Sequence, residues 1–342
     1  MKGTNGLPEG APEQPEHSRL RREASEPVRS SEPIEAVDER SEEHRSGFVC
    51  LVGRPNSGKS TLTNALVGTK VAITSSRPQT TRHVVRGIVH RPDAQLVLVD
   101  TPGLHRPRTL LGERLNDLVA GTLSEVDAVG FCLPADQRVG PGDRFIAGQL
   151  ADIAARTPVV AVVTKADLVG RARMAEHLLA VADLGPWVDV VPVSAVTGYQ
   201  TEVLTDVLVS HIPPGPAFYP DGELTDEPDQ VMVAELVREA ALEGVRDELP
   251  HSLAVVVEEM VERDQPSADG RPLIDVRVEM YVERDSQKAI VIGRGGSRLR
   301  DVGTRARTQI EALLGARVFL DLHVRVAKDW QRDSRQLGRL GF

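Results

Sequence analysis

"LVGRPNSGKSTLTNAL", residues 51–66, continues the apolar "FVC" at 48–50 and sets Gly53, Gly58, Lys59 and Ser60 in a GxxxxGKS spacing directly ahead of a helical stretch. Arg54, Pro55, Asn56 and Ser57 fill the loop, and Thr61 follows it. Backbone N–H groups in such a loop curl around a β-phosphate, and the helix behind it turns its positive end on the same spot. Lys59 is placed to reach β and γ oxygens, and the Ser60 hydroxyl to ligate Mg²⁺. A chance Gly-rich turn has the same composition, but strand, loop and helix in this order are the setting a phosphate loop requires.

Further short apolar runs follow: "LVLV" at 96–99, "AVGF" at 128–131, "VVAVV" at 159–163 and "VVPV" at 190–193. Uniformly apolar strands suit a parallel sheet covered on both faces. Helical stretches at 59–67, 112–123 and 200–211 alternate with them, which predicts a doubly wound, mostly parallel α/β domain over residues 47–212. Residues 1–46, rich in Pro, Glu, Ser and Arg, read as a disordered tail, and the Pro-, Gly- and Asp-rich 213–230 as a linker.

From 231 to 342 the grammar changes. Ile274, Val276, Val278, Met280 and Val282 alternate with Asp275, Arg277, Glu279, Tyr281 and Glu283, and 318–326 alternates likewise. Period two predicts a sheet with one wet face. Leu299, Val302, Ala306, Ile310 and Leu313 recur at steps of three and four, the stripe of a helix laid on that sheet. A second, small α+β domain is expected.

Three more loops sit at apolar strand ends. "DTPG" at 100–103 offers Asp100 to a metal-bound water and the Gly103 N–H to a γ-phosphate. "TKAD" at 164–167 offers the Asp167 carboxylate to the N1–H and 2-amino donors of guanine, a pair that adenine lacks. Lys165 can lay its stem over the ring, and backbone N–H groups around Ser194 and Ala195 can meet O6. Together the four loops point to GTP.

With "GRPNSGKS" at 53, "ITSSRPQTTR" at 73, "DTPG" at 100, "TKAD" at 164, "VSA" at 193 and "VIGRGGSRLRDVG" at 291, the chain resembles the Era family of bacterial GTPases from about residue 47 onward. The resemblance implies a P-loop GTPase domain followed by a type II KH domain, with Thr101, Pro102, Leu104 and Ala166 also near the nucleotide. It implies that Thr81, rather than Thr80, is the switch hydroxyl that closes over Mg²⁺. It also implies partners: GTP and GDP, the 3′ end of 16S rRNA, the 30S subunit in assembly, and peripheral contact with the inner face of the cell membrane. Another RNA, such as tRNA, is the alternative. The family usually has Asn, tying the base loop to the phosphate loop, where Thr164 stands. Leu104 occupies the place of the water-orienting Gln of Ras-like enzymes. P-loop members with an Asn, as Asn56 here, bind K⁺ beside the phosphates, which assigns catalysis to Asn56, Lys59, Thr81 and Gly103.

The GRGG loop at 293–296 carries Gly293, Arg294, Gly295 and Gly296, and a GxxG loop lets two backbones approach closely. From 284 to 342 thirteen Lys and Arg stand against six acids, a net of +7 inside a chain of −9. That local excess favours a phosphate backbone, with Lys288, Arg294, Arg298 and Arg300 as candidate RNA contacts. Arg332, Arg335 and Arg339 could face RNA, the first domain or lipid. No apolar run reaches the roughly 18 residues of a membrane span. Cys50 and Cys132 lie in apolar runs, no secretory h-region opens the chain, and a monomer in a reducing cytoplasm is expected.

Overall fold

A computed structural model describes residues 44–74, 81–104, 107, 109–243 and 252–342; residues 1–43 of the expected tail, together with Pro78 and Thr80, lie outside them. Six strands form the first sheet: β1 (Arg45–Val52), β2 (Val85–His90), β3 (Ala94–Asp100), β4 (Ala128–Pro134), β5 (Val159–Thr164) and β6 (Asp189–Pro192). Their order is β2-β3-β1-β4-β5-β6, and β2 alone is antiparallel to its neighbour. The sequence reading leaves β2 unassigned and starts the domain at 47. In the structure β1 begins at Arg45, because Ser46 N–H donates to Pro213 O and the Arg45 guanidinium to Ile212 O.

Helices α1 (Lys59–Val67), α2 (Leu110–Leu123), α3 (Pro141–Ala151), α4 (Arg171–Ala182) and α5 (Thr201–Ser210) cover both faces. Leu62 of α1 and Leu204 and Leu208 of α5 pack on one side; Val119, Ile146, Leu150 and Val181 from α2, α3 and α4 pack on the other. Strands buried on both faces have no room for polar residues, which is why these runs are uniformly apolar. Cys50 and Cys132 sit within them, and burial pushes both thiols up to about 12. The chain changes direction across the sheet at β1, flanked by β3 and β4, so the loop after β1 opens at the crevice where ligands of such sheets bind.

Residues 213–228 join the domains as a fixed strap along the β2–β3 edge. The buried Gln95 side chain accepts from Phe218 N–H and Tyr219 N–H at 2.7 and 2.9 Å and donates to Tyr219 O at 2.8 Å. Ile88 N–H donates to Leu224 O, and Phe218 stacks on Phe48. These contacts satisfy an edge strand that would otherwise expose its backbone groups.

The second domain contains α6 (Asp229–Leu242), β7 (Ala254–Glu262), β8 (Leu273–Val282), α7 (Asp285–Ile292), α8 (Ser297–Leu314) and β9 (Arg317–Val326). β7 pairs antiparallel and β9 parallel with β8. Val276, Val278, Met280 and Val282 face Val233 and Val237 of α6 and Val302, Ala306 and Ile310 of α8. The opposite face is wet at one end only. There Arg277 pairs with Glu259 and Arg263 with Asp275. At the other end Glu279 is 3% and Tyr281 6% exposed: Arg325 pairs with Glu279, and residues 327–342, including α9 (Ser334–Arg339), pack on Tyr281.

That covering segment reaches the first domain. Trp330, Leu337 and Leu340 pack with Tyr281 and Ala254 and with Leu111 and Leu115 of α2, and Trp330 Nε1 donates to Ser252 O at 3.0 Å. Arg114 of α2 donates to Ser334 Oγ at 2.7 Å and Phe342 O at 2.6 Å. Of the three surfaces open to the segment carrying Arg332, Arg335 and Arg339, the structure therefore seats it on the first domain. Arg82 enters the same cluster with its guanidinium 5.7 Å from the Trp330 ring and 5.8 Å from the Phe342 ring. A desolvated cation against aromatic rings contributes about 2 kcal/mol.

His83 stacks on Phe342 with ring centroids 5.2 Å apart. Burial holds its pKa below the ordinary histidine value, against the opposing charge of Glu235 and with the help of Arg238 and Arg82. The unfolded chain then takes up a proton more readily than the folded one, so this group's stabilisation is present above about pH 6.5 and declines as pH falls toward the lower folded value. Thermal unfolding between pH 7.5 and 5.5 should therefore show a smaller loss of Tm in His83→Phe, which keeps the stack, than in the natural chain; parallel losses would remove His83 as the cause.

Candidate functional site

The phosphate loop is held by its surroundings. Ser57 N–H donates to Arg54 O, and Arg54 Nε donates to Asp143 Oδ1 at 2.6 Å, anchoring the loop to α3. Asn56 is exposed and takes a left-handed backbone with φ 63°, which Asn tolerates better than most side chains. Gly58 caps α1, whose first residues are Lys59, Ser60 and Thr61. The Lys59 Nζ lies 3.3 Å from both Gly53 O and Arg54 O, inside the curl of the loop.

Three residues far apart in sequence meet beside it. Ser60 Oγ donates to Asp100 Oδ2 at 2.7 Å, Thr81 Oγ1 lies 2.9 Å from Ser60 Oγ, and Thr81 Oγ1 donates to Asp100 Oδ2 at 3.3 Å. Asp100 Oδ1 is buried with no side-chain partner among the described residues. Burial raises the Asp100 pKa, offset by Lys59, Ser60 and Thr81, and lowers that of Lys59, offset by Asp100. One carboxylate, with an oxygen left over, and two hydroxyls are hard oxygen donors. They fit Mg²⁺, which takes few protein ligands and completes its shell with water and phosphate oxygens. No cluster of three or more His, Cys, Asp or Glu able to hold a metal occurs among the described residues.

The "DTPG" loop lies against the phosphate loop. Thr101 Oγ1 donates to Leu51 O at 2.8 Å, and Leu104 N–H donates to Gly53 O at 3.2 Å. Pro102 and Gly103 are buried between these ties, and a Cβ on Gly103 would stand 2.7 Å from Pro55 N, so only glycine allows the approach.

At the opposite end of the crevice, Thr164 Oγ1 donates to Ser57 O at 2.6 Å. Thr164 thus makes the tie between base loop and phosphate loop expected of the family's Asn. Ala166 N–H donates to Val193 O, and Ser194 Oγ donates to Asp167 Oδ1 at 2.6 Å, orienting that carboxylate. Ser194 N–H is committed to Tyr199 O, which leaves Ala195 as the backbone donor able to face O6. The Lys165 Nζ lies 3.4 Å from Asp136 Oδ2. No signal in the sequence pointed to Asp136 or Asp143, because each works through a side chain contact across strands and helices.

The GRGG loop joins α7 to α8. Gly293 has φ 71°, and a Cβ there would meet the Arg298 Cβ at 2.7 Å, so its glycine is required by backbone and packing together. Gly295 and Gly296 face open space. Arg294 and Arg300 are exposed and Lys288 half-buried beside them. Arg298, grouped with them from sequence, has its guanidinium turned to the C-terminal end of α6, where Nη2 donates to Ala241 O and Glu243 O at 3.0 Å each. The carbonyls left open by a helix end explain this: a cation there satisfies them and the helix dipole together. Arg305 does the same at Ala240 O, and Arg317 and Arg325 pair with Asp269 and Glu279.

Thr164→Val removes one hydroxyl at nearly constant volume and leaves Ser57 O without its donor. A loss of about 1–2 kcal/mol is expected. Calorimetric titration with GDP should register it as roughly a tenfold weaker affinity, whereas Thr164→Asn should restore most of it.

Residues 48–165 match a family model described as 50S ribosome-binding GTPase, and residues 248–331 match the KH domain. The chain is 68% identical to GTPase Era of Mycobacterium sp. (strain KMS) over 88% of its length and 99% of the relative's. It is 66% identical to GTPase Era of Streptomyces coelicolor over 92% and 98%. Among solved structures, Era in complex with MgGDPNP and nucleotides 1506–1542 of 16S ribosomal RNA superposes with a TM-score of 0.81 at 34% identity, covering 87% of this chain and 99% of that one. A single-residue variant of Aquifex aeolicus Era bound to GDP·AlF4⁻ superposes with the same TM-score at 32% identity over 87% and 99%. Relatives 66–68% identical over nearly their whole length, together with the GTPase and KH matches, show that the chain belongs to the Era family of GTPases.

Proposed function

We propose that this GTPase is a molecular switch that grips the 3′ end of 16S rRNA through its GRGG groove and acts in assembly of the small (30S) ribosomal subunit. The meeting of Ser60, Thr81 and Asp100 carries the reading: a hydroxyl from the "PQTTR" segment already lies where a triphosphate-bound cation would engage it. Asp167 reads guanine, with Ala195 at O6 and Lys165 at the ring. Gly53 to Thr61 hold the phosphates, and Thr101, Pro102, Gly103 and Leu104 bring the Gly103 N–H to the γ-phosphate. Mg²⁺, held by Ser60, Thr81 and Asp100, supplies charge on the β and γ oxygens. Lys59 reaches the β and γ oxygens, and Thr81 closes over Mg²⁺ when the γ-phosphate is present. Leu104 gives no water-orienting group, so intrinsic turnover is slow and depends on K⁺ and on a partner.

Lys288, Gly293, Arg294, Gly295, Gly296 and Arg300 form the RNA surface, with the basic excess supplying salt-sensitive affinity. Arg298 supports that surface by fixing α6. RNA identity follows the relative crystallised with nucleotides 1506–1542 of 16S rRNA. Action in the cytoplasm as a monomer, with peripheral contact at the inner membrane face, completes the reading; no described helix is long and apolar enough to span a membrane.

Asn56 carries the potassium requirement in this scheme. Hydrolysis in KCl should exceed that in NaCl for the natural chain and not for Asn56→Ala; equal rates of the natural chain in both salts would dismiss potassium. Cross-linking and sequencing of bound RNA should recover 16S 3′ ends, more with a GTP analogue than with GDP. Recovery of tRNA instead would favour another RNA target for the same GTPase.

A further inference from the structure

The segment that contains Thr81 is anchored in the second domain on both of its described sides. Upstream, Ile73 is 3% exposed within that domain's core, Thr74 N–H donates to Glu239 Oε1 at 2.8 Å, and Lys70 pairs with Glu239. Downstream, Arg82 is 1% exposed, with Nη1 donating to Leu253 O at 2.7 Å and its guanidinium set against the stacked Trp330 and Phe342 rings. Trp330 and Phe342 stack on each other at 5.6 Å, and Phe342 is held in turn by His83 and by Arg114 of α2. Neighbouring Cα atoms are about 3.8 Å apart, so Thr81 cannot leave Ser60 and Asp100 far behind while Arg82 keeps this seat.

We propose that Arg82 is a positioning residue for GTP hydrolysis: its seat against Trp330 and Phe342 holds Thr81 over Ser60 and Asp100, so that a segment of the KH half completes the triphosphate side of the nucleotide site. The inference rests on Thr81 being the switch hydroxyl. A diphosphate does not need Thr81, so the seat discriminates between nucleotides rather than strengthening both. By linkage, a triphosphate that draws Thr81 inward tightens the Arg82 seat to the same extent, which gives the KH half a physical report of the nucleotide.

The test uses the full chain without RNA. Arg82→Lys keeps the charge but loses the flat π-facing group, and Phe342→Leu keeps the apolar bulk but loses the ring. Fluorescent GDP and a non-hydrolysable GTP analogue are titrated with Mg²⁺, and amide hydrogen exchange is followed at residues 81–84 of the nucleotide-free protein. Each variant should lower the analogue-to-GDP affinity ratio about 5–10-fold, leave GDP affinity unchanged, and speed exchange at 81–84 about tenfold. The double variant should add little, since both changes open one seat. Phe342→Tyr should restore both readouts. Thr81→Ala serves as the reference: if it leaves the ratio unaltered, the switch reading of Thr81 fails. If Thr81→Ala lowers the ratio while Arg82→Lys and Phe342→Leu leave ratio and exchange at natural values, the positioning role is overturned and the switch reading stands. A drop in Tm with equal losses for both nucleotides would likewise overturn it, because that is what general loosening produces.

Discussion

The nucleotide site depends on loops that tie to one another across strand ends. Thr164 reaches the carbonyl of Ser57, Leu104 N–H reaches Gly53 O, Thr101 reaches Leu51 O and Ala166 N–H reaches Val193 O. Each bond is worth only about 1 kcal/mol net, yet together they fix four segments that the chain brings together from residues 51 to 195. The apolar strands beneath make this possible: with β1 and β3 to β5 buried on both faces, register cannot slip without driving Val and Leu into contact with polar groups. A rigid sheet with loops bonded edge to edge then leaves one segment, that of Thr81, free to be governed from outside.

That governance falls to the second domain. Its core accepts Ile73, its α6 accepts Thr74 through Glu239, and its closing segment accepts Arg82. The two halves therefore meet at the segment that carries Thr81, the proposed switch hydroxyl. The strap at 213–228 contributes by fixing where the KH half departs from the sheet edge, through Gln95 and Ile88, so that the second set of contacts can form.

The basic character of the KH half divides into two jobs. Arg298 and Arg305 close the end of α6, and Arg317 and Arg325 close ion pairs across the sheet. Arg294 and Arg300 stand exposed at the GRGG loop, with Lys288 half-buried beside them. Charge counting treats these as equal; only those not already committed to carbonyls and carboxylates can release counterions on binding a phosphate chain.

Sequence alone determined the sheet strands with uniform apolar runs, the four nucleotide loops and the alternating strands of the second domain, because periodicity and glycine spacing are local properties of the chain. It also singled out Ser60 and Asp100 from short motifs and Thr81 from the family resemblance, three residues that the fold brings into contact. Tertiary structure alone decided the antiparallel β2, whose short mixed run is stabilised by its pairing with β3, and the dry end of the KH sheet, where period two promises water but Arg325 closes over Glu279 and residues 327–342 pack on Tyr281. It decided that Arg298 caps a helix and that Arg82 packs against the stacked Trp330 and Phe342 rings. Those partners lie tens to hundreds of residues away, and a long-range contact leaves no spacing to read: it exists only once two separately folded surfaces meet.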